Sequence, residues 1–216
     1  MAMRPMLFDG EMVRALLAGR KTQTRRPIRH QPVVDDNGFW KMDGAGWGNT
    51  LRFIQPAPGV RGSLGLANNC PLGKPGDHIW VRERARVIDY RSNCDALVRY
   101  EADQSTRWVN MPSRLKYVPV GRCIPNGCHR EASRILLEIT GVRAERLNDI
   151  SQADAVAEGA PPSHPSIDAV SRTLGYPDFP RSVFAQLWQF IYGEKAWSEN
   201  KWVWVIEFKR IEGSAL

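Results

Sequence analysis

Short segments that alternate apolar and polar residues, separated by loops rich in glycine and proline, constrain the fold of this chain most. The segment from Ser133 to Leu147 has apolar side chains at alternate positions. In the last predicted strand, Trp202 to Phe208, two valines and Glu207 alternate along one side, and the tryptophans and Ile206 fall on the other. A period of two residues is typical of a β-strand with one buried face. We therefore predict a protein built on short strands, with Gly141 bending the longer one.

Two further strands and two irregular stretches are predicted between the termini. The turn Pro75-Gly76-Asp77 leads into a strand at His78 to Ile88, and a shorter strand is expected at Ala96 to Tyr100. Residues 27–75 and about 89–130 show little periodicity, and glycine and proline interrupt the first of them repeatedly. We interpret both stretches as long loop insertions, the first with a short hairpin around Phe39 to Met42.

Three helices are predicted between these strands. The first carries an apolar stripe from Met12 to Leu17, with Asp9 as its N-cap and Gly19 as its end. The second opens at Ser151, which suits an N-cap, and ends at Gly159. The third, from Arg181 to Tyr192, has an amphipathic apolar face.

Interleaved strands and helices of this kind predict an α+β protein rather than a parallel α/β sheet, which would need more helices of crossover length. We expect a small β-barrel with flanking helices and long loop insertions, in a single domain spanning residues 1–216. No segment reaches the roughly 18 to 20 apolar residues of a membrane span. The start of the chain does not resemble a secretory signal. A cytoplasmic protein without membrane contact or an obligatory protein partner is expected.

The four cysteines leave two interpretations open. In the cytoplasm they are expected to be free thiols. A zinc set is the alternative, formed by Cys70, Cys123, Cys128 and His129. The spacing from Cys123 to Cys128 is looser than the usual paired zinc ligands, and the residues between them suit a plain turn. No metal and no cofactor are predicted.

The positive charge is concentrated at the start of the chain. The net charge is +7, and residues 1–30 hold seven basic against two acidic side chains, which gives +5. Arginine also outnumbers lysine by 23 to 7. Arginine binds phosphate with two parallel hydrogen bonds and stacks on bases. The pattern fits a surface that attracts a phosphate backbone, and it equally fits a solubilising charged face.

The stretch from Gly19 to Arg26 contains the strongest candidates for catalytic or binding residues. If the chain turns after Gly19, the Lys21 amine and the Thr24 hydroxyl share a face. Neighbouring Arg25 and Arg26 would depress the pKa of Lys21 and make it a candidate general base for Thr24. The alternative is a basic loop, including Arg20, that binds phosphates without chemistry.

The pattern G-x-K-x-x-T-x-R, filled by Gly19, Lys21, Thr24 and Arg26, resembles the signature of ASCH domains, which are relatives of the PUA fold. Three later stretches resemble segments of ASCH proteins common in phages and prophages. These stretches are Lys74 to Glu83, Asp149 to Gly159 and Trp202 to Arg210. Together the four segments span nearly the whole chain in the expected order.

The resemblance implies a PUA-like barrel whose cleft binds RNA or a modified nucleoside. Some small members of the family resemble amidohydrolases that remove the acyl group from N4-acetylcytidine. Transferred to this chain, Lys21 would be the base, Thr24 the nucleophile and Glu158 the residue that orients Lys21. A metal-independent ribonuclease is a further alternative. The expected binding residues around this site are Arg20, Arg25, Arg26, Trp80, Arg82 and Glu83.

A functional role for Glu158 has independent support from its position at a predicted helix C-terminus, where the helix dipole disfavours a carboxylate. A glutamate in that place suggests a cationic partner, and Lys21 is the candidate; an exposed acid without a role is the alternative. Arg82 and Glu83 either line the cleft or pair at the surface. Trp108, in an irregular arginine-containing stretch, either stacks on a base or anchors its loop.

Overall fold

The chain mixes helices and strands in two units that interleave along the sequence. A computed structural model describes residues 1–34, 39–42, 51–54, 70–111, 117–125, 127–161, 169, 173 and 179–211. Unit 1 consists of Met1–Arg20, Gly76–Ile139 and Phe208–Leu216, and unit 2 of Lys21–Pro75 and Thr140–Glu207. The predicted α+β class is confirmed. The single domain over residues 1–216 stays a prediction.

The described elements follow one another as strands, helices and two 3-10 turns. In chain order they are β1 (Met3–Leu7), α1 (Gly10–Leu17), β2 (Gln23–Pro27), β3 (Val33–Val34), β4 (Phe39–Met42), β5 (Leu51–Ile54), β6 (His78–Arg82), β7 (Ala85–Tyr90), β8 (Asp95–Tyr100), β9 (Thr106–Asn110), a 3-10 turn (Arg130–Ala132), β10 (Leu136–Arg146), a 3-10 turn (Leu147–Asp149), α2 (Gln152–Ala157), α3 (Phe179–Tyr192) and β11 (Trp202–Arg210).

Unit 1 holds two sets of paired strands. β1 pairs with β6 in parallel, and β6 pairs antiparallel with the first residues of β10. β7, β8 and β9 form a separate antiparallel sheet. One face of that sheet packs into a hydrophobic cluster that includes Val87, Val98 and Tyr100. The alternation seen at Ala96 to Tyr100 therefore reports the buried face of β8.

The predicted strand from His78 to Ile88 is wrong in one respect, because the structure breaks it into β6 and β7. Glu83 lies in the break, and its buried carboxylate accepts two hydrogen bonds from Arg134, both at 2.8 Å. The two strands pair with different neighbours, so an uninterrupted strand does not fit. The described part of the predicted insertion 89–130 also holds β8 and β9. In β9 only Trp108 and Val109 are apolar, so its sequence lacks the alternation of apolar and polar residues that predicts a strand.

Arg134 joins Glu83 to the exposed rim of unit 1. Its guanidinium lies over the Tyr100 ring, 4.1 Å from the centroid, and donates to Asp103 at 2.8 Å. Burial raises the pKa of Tyr100 to about 12. Burial also acts to raise the pKa of Asp103, but the hydrogen bonds from Arg134 and Ser105 outweigh it and lower that pKa to about 2.

We expect the acid sensitivity of the protein to decrease in an Asp103→Asn variant. A lowered folded pKa contributes stability that is present above the unfolded value near 4 and is lost as pH falls toward 2. The variant should be less stable than wild type by about 1 kcal/mol at pH 7, a value reduced for partial exposure, and equal to it near pH 2. Urea unfolding across this range tests it; a difference independent of pH would contradict it.

Unit 2 pairs its strands in the order β10-β11-β2, and β3, β4 and β5 form a small antiparallel sheet. The hairpin predicted around Phe39 to Met42 is thus confirmed as β4 with its neighbours. Helices α2 and α3 contribute to a cluster that includes Phe184, Trp188 and Val205. On the other face of β11, Trp204 packs with Ile28, Cys70 and Ala144.

The predicted barrel closure is not met by the described strands. A closed barrel has no edge, because its last strand pairs with its first. Here β1 and β2 each have a single described partner, so the sheets are open. Alternation along a strand identifies its buried face but not its neighbours, and for that reason it cannot predict closure.

The three predicted helices are confirmed, with termini close to those expected. The Asp9 side chain accepts a hydrogen bond from the Met12 amide and caps α1, and Gly19 follows its end with φ of 70°. The Ser151 side chain accepts from the Asp154 amide and caps α2. Among the described residues, no helix is long and apolar enough to span a membrane.

Candidate functional site

Lys21, Thr24 and Arg26 of the signature lie at the start of unit 2, and β2 divides its own residues between two faces. Neighbouring side chains of a strand point to opposite sides, so Gln23 and Arg25 share one face while Thr24 and Arg26 share the other. The pairing with β11 agrees, because Arg25 stands opposite Val205 and Thr24 opposite Ile206. The Arg25 face is therefore the one that carries the α2 and α3 cluster.

Lys21 is bound to Glu158, as the helix-end position of that glutamate suggested. The Lys21 Nζ atom donates to Glu158 Oε2 at 2.8 Å and to the Glu158 backbone oxygen at 2.7 Å. The lysine side chain is fully buried and the glutamate side chain is 4% exposed. The amide of Thr22 also donates to the carbonyl of Ala157, which joins the two segments by their backbones. A buried ion pair thus connects the signature to the end of α2.

Arg25 contacts the second oxygen of the same glutamate. Its Nη1 atom donates to Glu158 Oε1 at 3.1 Å, so the two carboxylate oxygens serve two different cations. The rest of the fully buried guanidinium binds Glu145 and approaches Asp154 Oδ2 at 3.4 Å. Its charge lies 5.8 Å from the Phe184 ring centroid. As described, Arg25 is part of the interior rather than a surface contact for phosphate.

Arg143 completes the group from β10, which is separated from β2 by β11. It donates to Glu145 at 3.0 Å and to Asp154 at 3.3 Å, and it also binds the half-exposed Glu207. Burial acts to lower the pKa of Arg143, but Glu145, Asp154 and Glu207 outweigh it and raise that pKa. Burial likewise acts to raise the pKa of Asp154, but Arg25 and Arg143 outweigh it and lower that pKa.

These side chains form what we call the charge cluster. Its members are at most 12% exposed, and they are Lys21, Arg25, Arg143, Glu145, Asp154 and Glu158. Three cations face three carboxylates, so the cluster is neutral when every member is ionised. Buried charges are tolerated where they are paired and hydrogen-bonded in this way. Gln23 extends it by donating from Nε2 to the Asp154 backbone at 2.8 Å.

Thr24 differs from its neighbours in β2. Thr24 is fully buried, and its hydroxyl oxygen has no hydrogen-bond partner in the part of the chain that the structure describes. A buried hydroxyl without a partner costs free energy, and native proteins rarely leave one in place. Strand alternation sets Thr24 on the face away from Arg25, so the structure unites Lys21 with Glu158 but does not bring Thr24 into the charge cluster.

The other predicted binding residues, except Arg26, belong to unit 1. Arg20 is exposed at the end of α1, and Trp80 and Arg82 are half-buried in β6. Glu83 is buried and bound to Arg134 rather than exposed to a ligand. Arg26, which belongs to unit 2, is half-buried in β2 and donates to the Arg25 carbonyl at 3.1 Å. Trp108 is partly exposed, with the Arg91 guanidinium 4.8 Å from its ring centroid.

Sequence analysis missed Arg143, Glu145 and Asp154. A signal was present, since two charged residues recur at alternate positions within the predicted strand 133–147. Charges at alternate positions normally mark a solvated face. In this case that face carries Arg25 and α2, and the charges are satisfied by one another.

The zinc alternative finds no support among the described residues, where no group of three or more His, Cys, Asp or Glu side chains is placed to hold a metal ion. None of the four cysteines, all of which lie in described residues, forms a disulfide. Burial raises the pKa of the Cys128 thiol to about 11, which disfavours the thiolate that zinc requires. Cys123 is exposed, with its sulfur 3.5 Å from a Glu101 carboxylate oxygen.

Comparison with known proteins supplies no assignment for this site. Neither protein-family models, nor curated proteins, nor solved structures matched the chain. The ASCH assignment therefore rests on the four sequence segments that resemble the family.

Proposed function

We propose that this chain is a cytoplasmic, ASCH-type protein with a PUA-like fold that binds RNA or a modified nucleoside. The observation that carries the proposal is the buried contact between Lys21 and Glu158, which are 137 positions apart. The family resemblance selects these two residues independently of any structure. The basic start of the chain, with Arg20 and Arg26, supports a partner that carries phosphate. Four cysteines without a disulfide agree with a reducing compartment.

Hydrolysis of an N4-acylated cytidine is the second candidate, and the Thr24 hydroxyl favours it. A buried hydroxyl without a described partner is costly, and an acyl substrate would supply the missing partner. In such a reaction the Thr24 oxygen attacks the acyl carbonyl, and the bond between that carbonyl and the exocyclic nitrogen of cytosine breaks. The leaving nitrogen takes up the proton that the Thr24 hydroxyl loses. Water then hydrolyses the ester formed on Thr24 and releases the free acid.

We expect purified protein to bind single-stranded RNA and N4-acetylcytidine, and the Lys21→Met variant to bind each at least about tenfold more weakly, because Glu158 loses the buried ammonium group that pairs with it. Fluorescence anisotropy of labelled RNA measures RNA binding, and calorimetry measures binding of the nucleoside. Chromatographic detection of released cytidine measures turnover. Lys195→Met is the matched control, since Lys195 is exposed and outside the charge cluster.

The outcomes separate the candidates. Turnover by wild type that disappears in Thr24→Val supports the hydrolase. Binding without turnover, weakened in Lys21→Met but not in Lys195→Met, supports a binding protein. Absence of both binding and turnover in wild type would contradict the proposed function.

A further inference from the structure

We propose that Arg25 is a positioning residue of this site, which holds the Glu158 carboxylate against Lys21, and that the buried carboxylates keep Lys21 in the ammonium form, as a hydrogen-bond donor rather than a general base. The inference rests on the proposed function for the role of the site. The contacts that carry it do not depend on which ligand is bound.

The first argument is the division of the Glu158 carboxylate. Oε2 accepts from Lys21 and Oε1 accepts from Arg25, so the carboxylate is held at both ends. Arg25 is itself held by Glu145 and by Asp154, and it packs on Phe184. A rigidly held guanidinium fixes the Glu158 rotamer, and the Glu158 rotamer fixes the Lys21 amine.

The second argument is charge balance. Around Lys21 the charged groups come from four elements: Arg25 from β2, Asp154 and Glu158 from α2 and its end, Arg143 and Glu145 from β10, and Glu207 from β11. Three cations balance the three buried carboxylates only while Lys21 carries its proton. Loss of that proton would leave a net negative charge in a buried place, which is strongly unfavourable.

The third argument is the direction of hydrogen bonding. The Lys21 Nζ atom donates to a carboxylate oxygen and to a backbone carbonyl of Glu158, and both of these atoms are acceptors. A general base needs a lone pair directed at the proton that it removes. An amine in these contacts is arranged to donate.

Nuclear magnetic resonance of the full chain tests the protonation state without a substrate. Lysine ¹³Cε signals are followed from pH 6 to 11, and the Lys21 signal is identified by its loss in Lys21→Arg. We expect no titration step for Lys21 below about pH 10. A general base at neutral pH would titrate at about 7 to 8, and a step there would overturn the proposal.

The role of Arg25 is tested with Arg25→Lys, which keeps the charge but loses the fork of donors. Arg143→Lys is the matched control, because it makes the same change in the same cluster without a described contact to Glu158. We expect the Lys21 ¹⁵Nζ signal, slowed in exchange by its two hydrogen bonds, in wild type and Arg143→Lys but not in Arg25→Lys.

Retention of an unchanged signal in Arg25→Lys, or equal loss in both variants, would overturn the positioning role. If a variant fails to fold, the wild-type titration still decides the protonation state. Lack of RNA binding and of turnover in the wild type would overturn the proposed function alone, because neither resonance measurement uses a ligand.

Discussion

We expect the Arg25→Met variant to lose about 3–5 kcal/mol of unfolding free energy at pH 7 relative to wild type. Methionine fills similar space but leaves Glu145, Asp154 and Glu158 facing Lys21 and Arg143 as the two remaining cations of the charge cluster. An uncompensated charge in the interior is penalised far more than a surface pair is rewarded. Urea unfolding followed by circular dichroism measures the difference.

The size of this loss should depend on pH in a defined direction. Arg25 is the strongest of the influences that lower the pKa of Asp154. The stability that this lowered pKa contributes is present above the usual carboxyl value near 4 and is lost as pH falls through the lower folded value. The gap between wild type and Arg25→Met is therefore widest above pH 4 and narrows below it, because protonation removes the excess negative charge.

Arg86→Met is the matched control for that experiment. Arg86 also pairs with a carboxylate, Glu101 at 3.3 Å, but its side chain is 40% exposed. The same substitution there should cost about 0–1 kcal/mol. Equal losses in Arg25→Met and Arg86→Met would show that the charge cluster behaves like a surface pair and would contradict the argument.

Local features of the fold were predictable because each depends on a few neighbouring residues. Asp9 and Ser151 cap their helices through side-chain oxygens, and such oxygens can be recognised from sequence. Alternation identified β10 and β11 as strands for the same reason, but it did not identify their buried faces, since β11 is buried on both sides and the charged face of β10 is buried as well. Glu83, in the break between β6 and β7, pairs with Arg134, which is 51 positions away, and no local pattern reports such a pair.

The candidate site likewise has one feature that was predicted from the sequence and others that were not. The pairing of Lys21 with Glu158 was anticipated from the helix-end position of Glu158 and from the family resemblance, and the contact is present. The charge cluster was not anticipated, because Arg25 and Glu145 are 120 positions apart and meet only through strand pairing. Arg25 itself was predicted to bind a ligand at the surface. Burial reverses that interpretation, since arginine and carboxylate patterns look alike in sequence whether they face water or one another.

We expect Thr24→Val to stabilise the protein by about 1–3 kcal/mol and, if the chain is a hydrolase, to lower turnover by at least about 10³-fold. Valine has nearly the shape of threonine and suits a β-strand. It replaces a buried hydroxyl that has no partner among the described residues with a methyl group. Urea unfolding and the release of cytidine from N4-acetylcytidine measure the two effects in one preparation.

The opposite signs of these two effects make the prediction discriminating. Replacement of a threonine that the fold requires would destabilise the protein. Replacement of a threonine that is retained for catalysis would stabilise it, because catalytic groups are often unfavourable for folding. Thr24→Ser, which retains the hydroxyl, should keep part of the turnover, and Thr106→Val on the exposed start of β9 should change stability by less than about 0.5 kcal/mol. Destabilisation of Thr24→Val by 1 kcal/mol or so would mean that the hydroxyl has a structural partner. That result would remove the main support for Thr24 as a nucleophile and leave binding through Lys21 and Glu158 as the proposed role of the site.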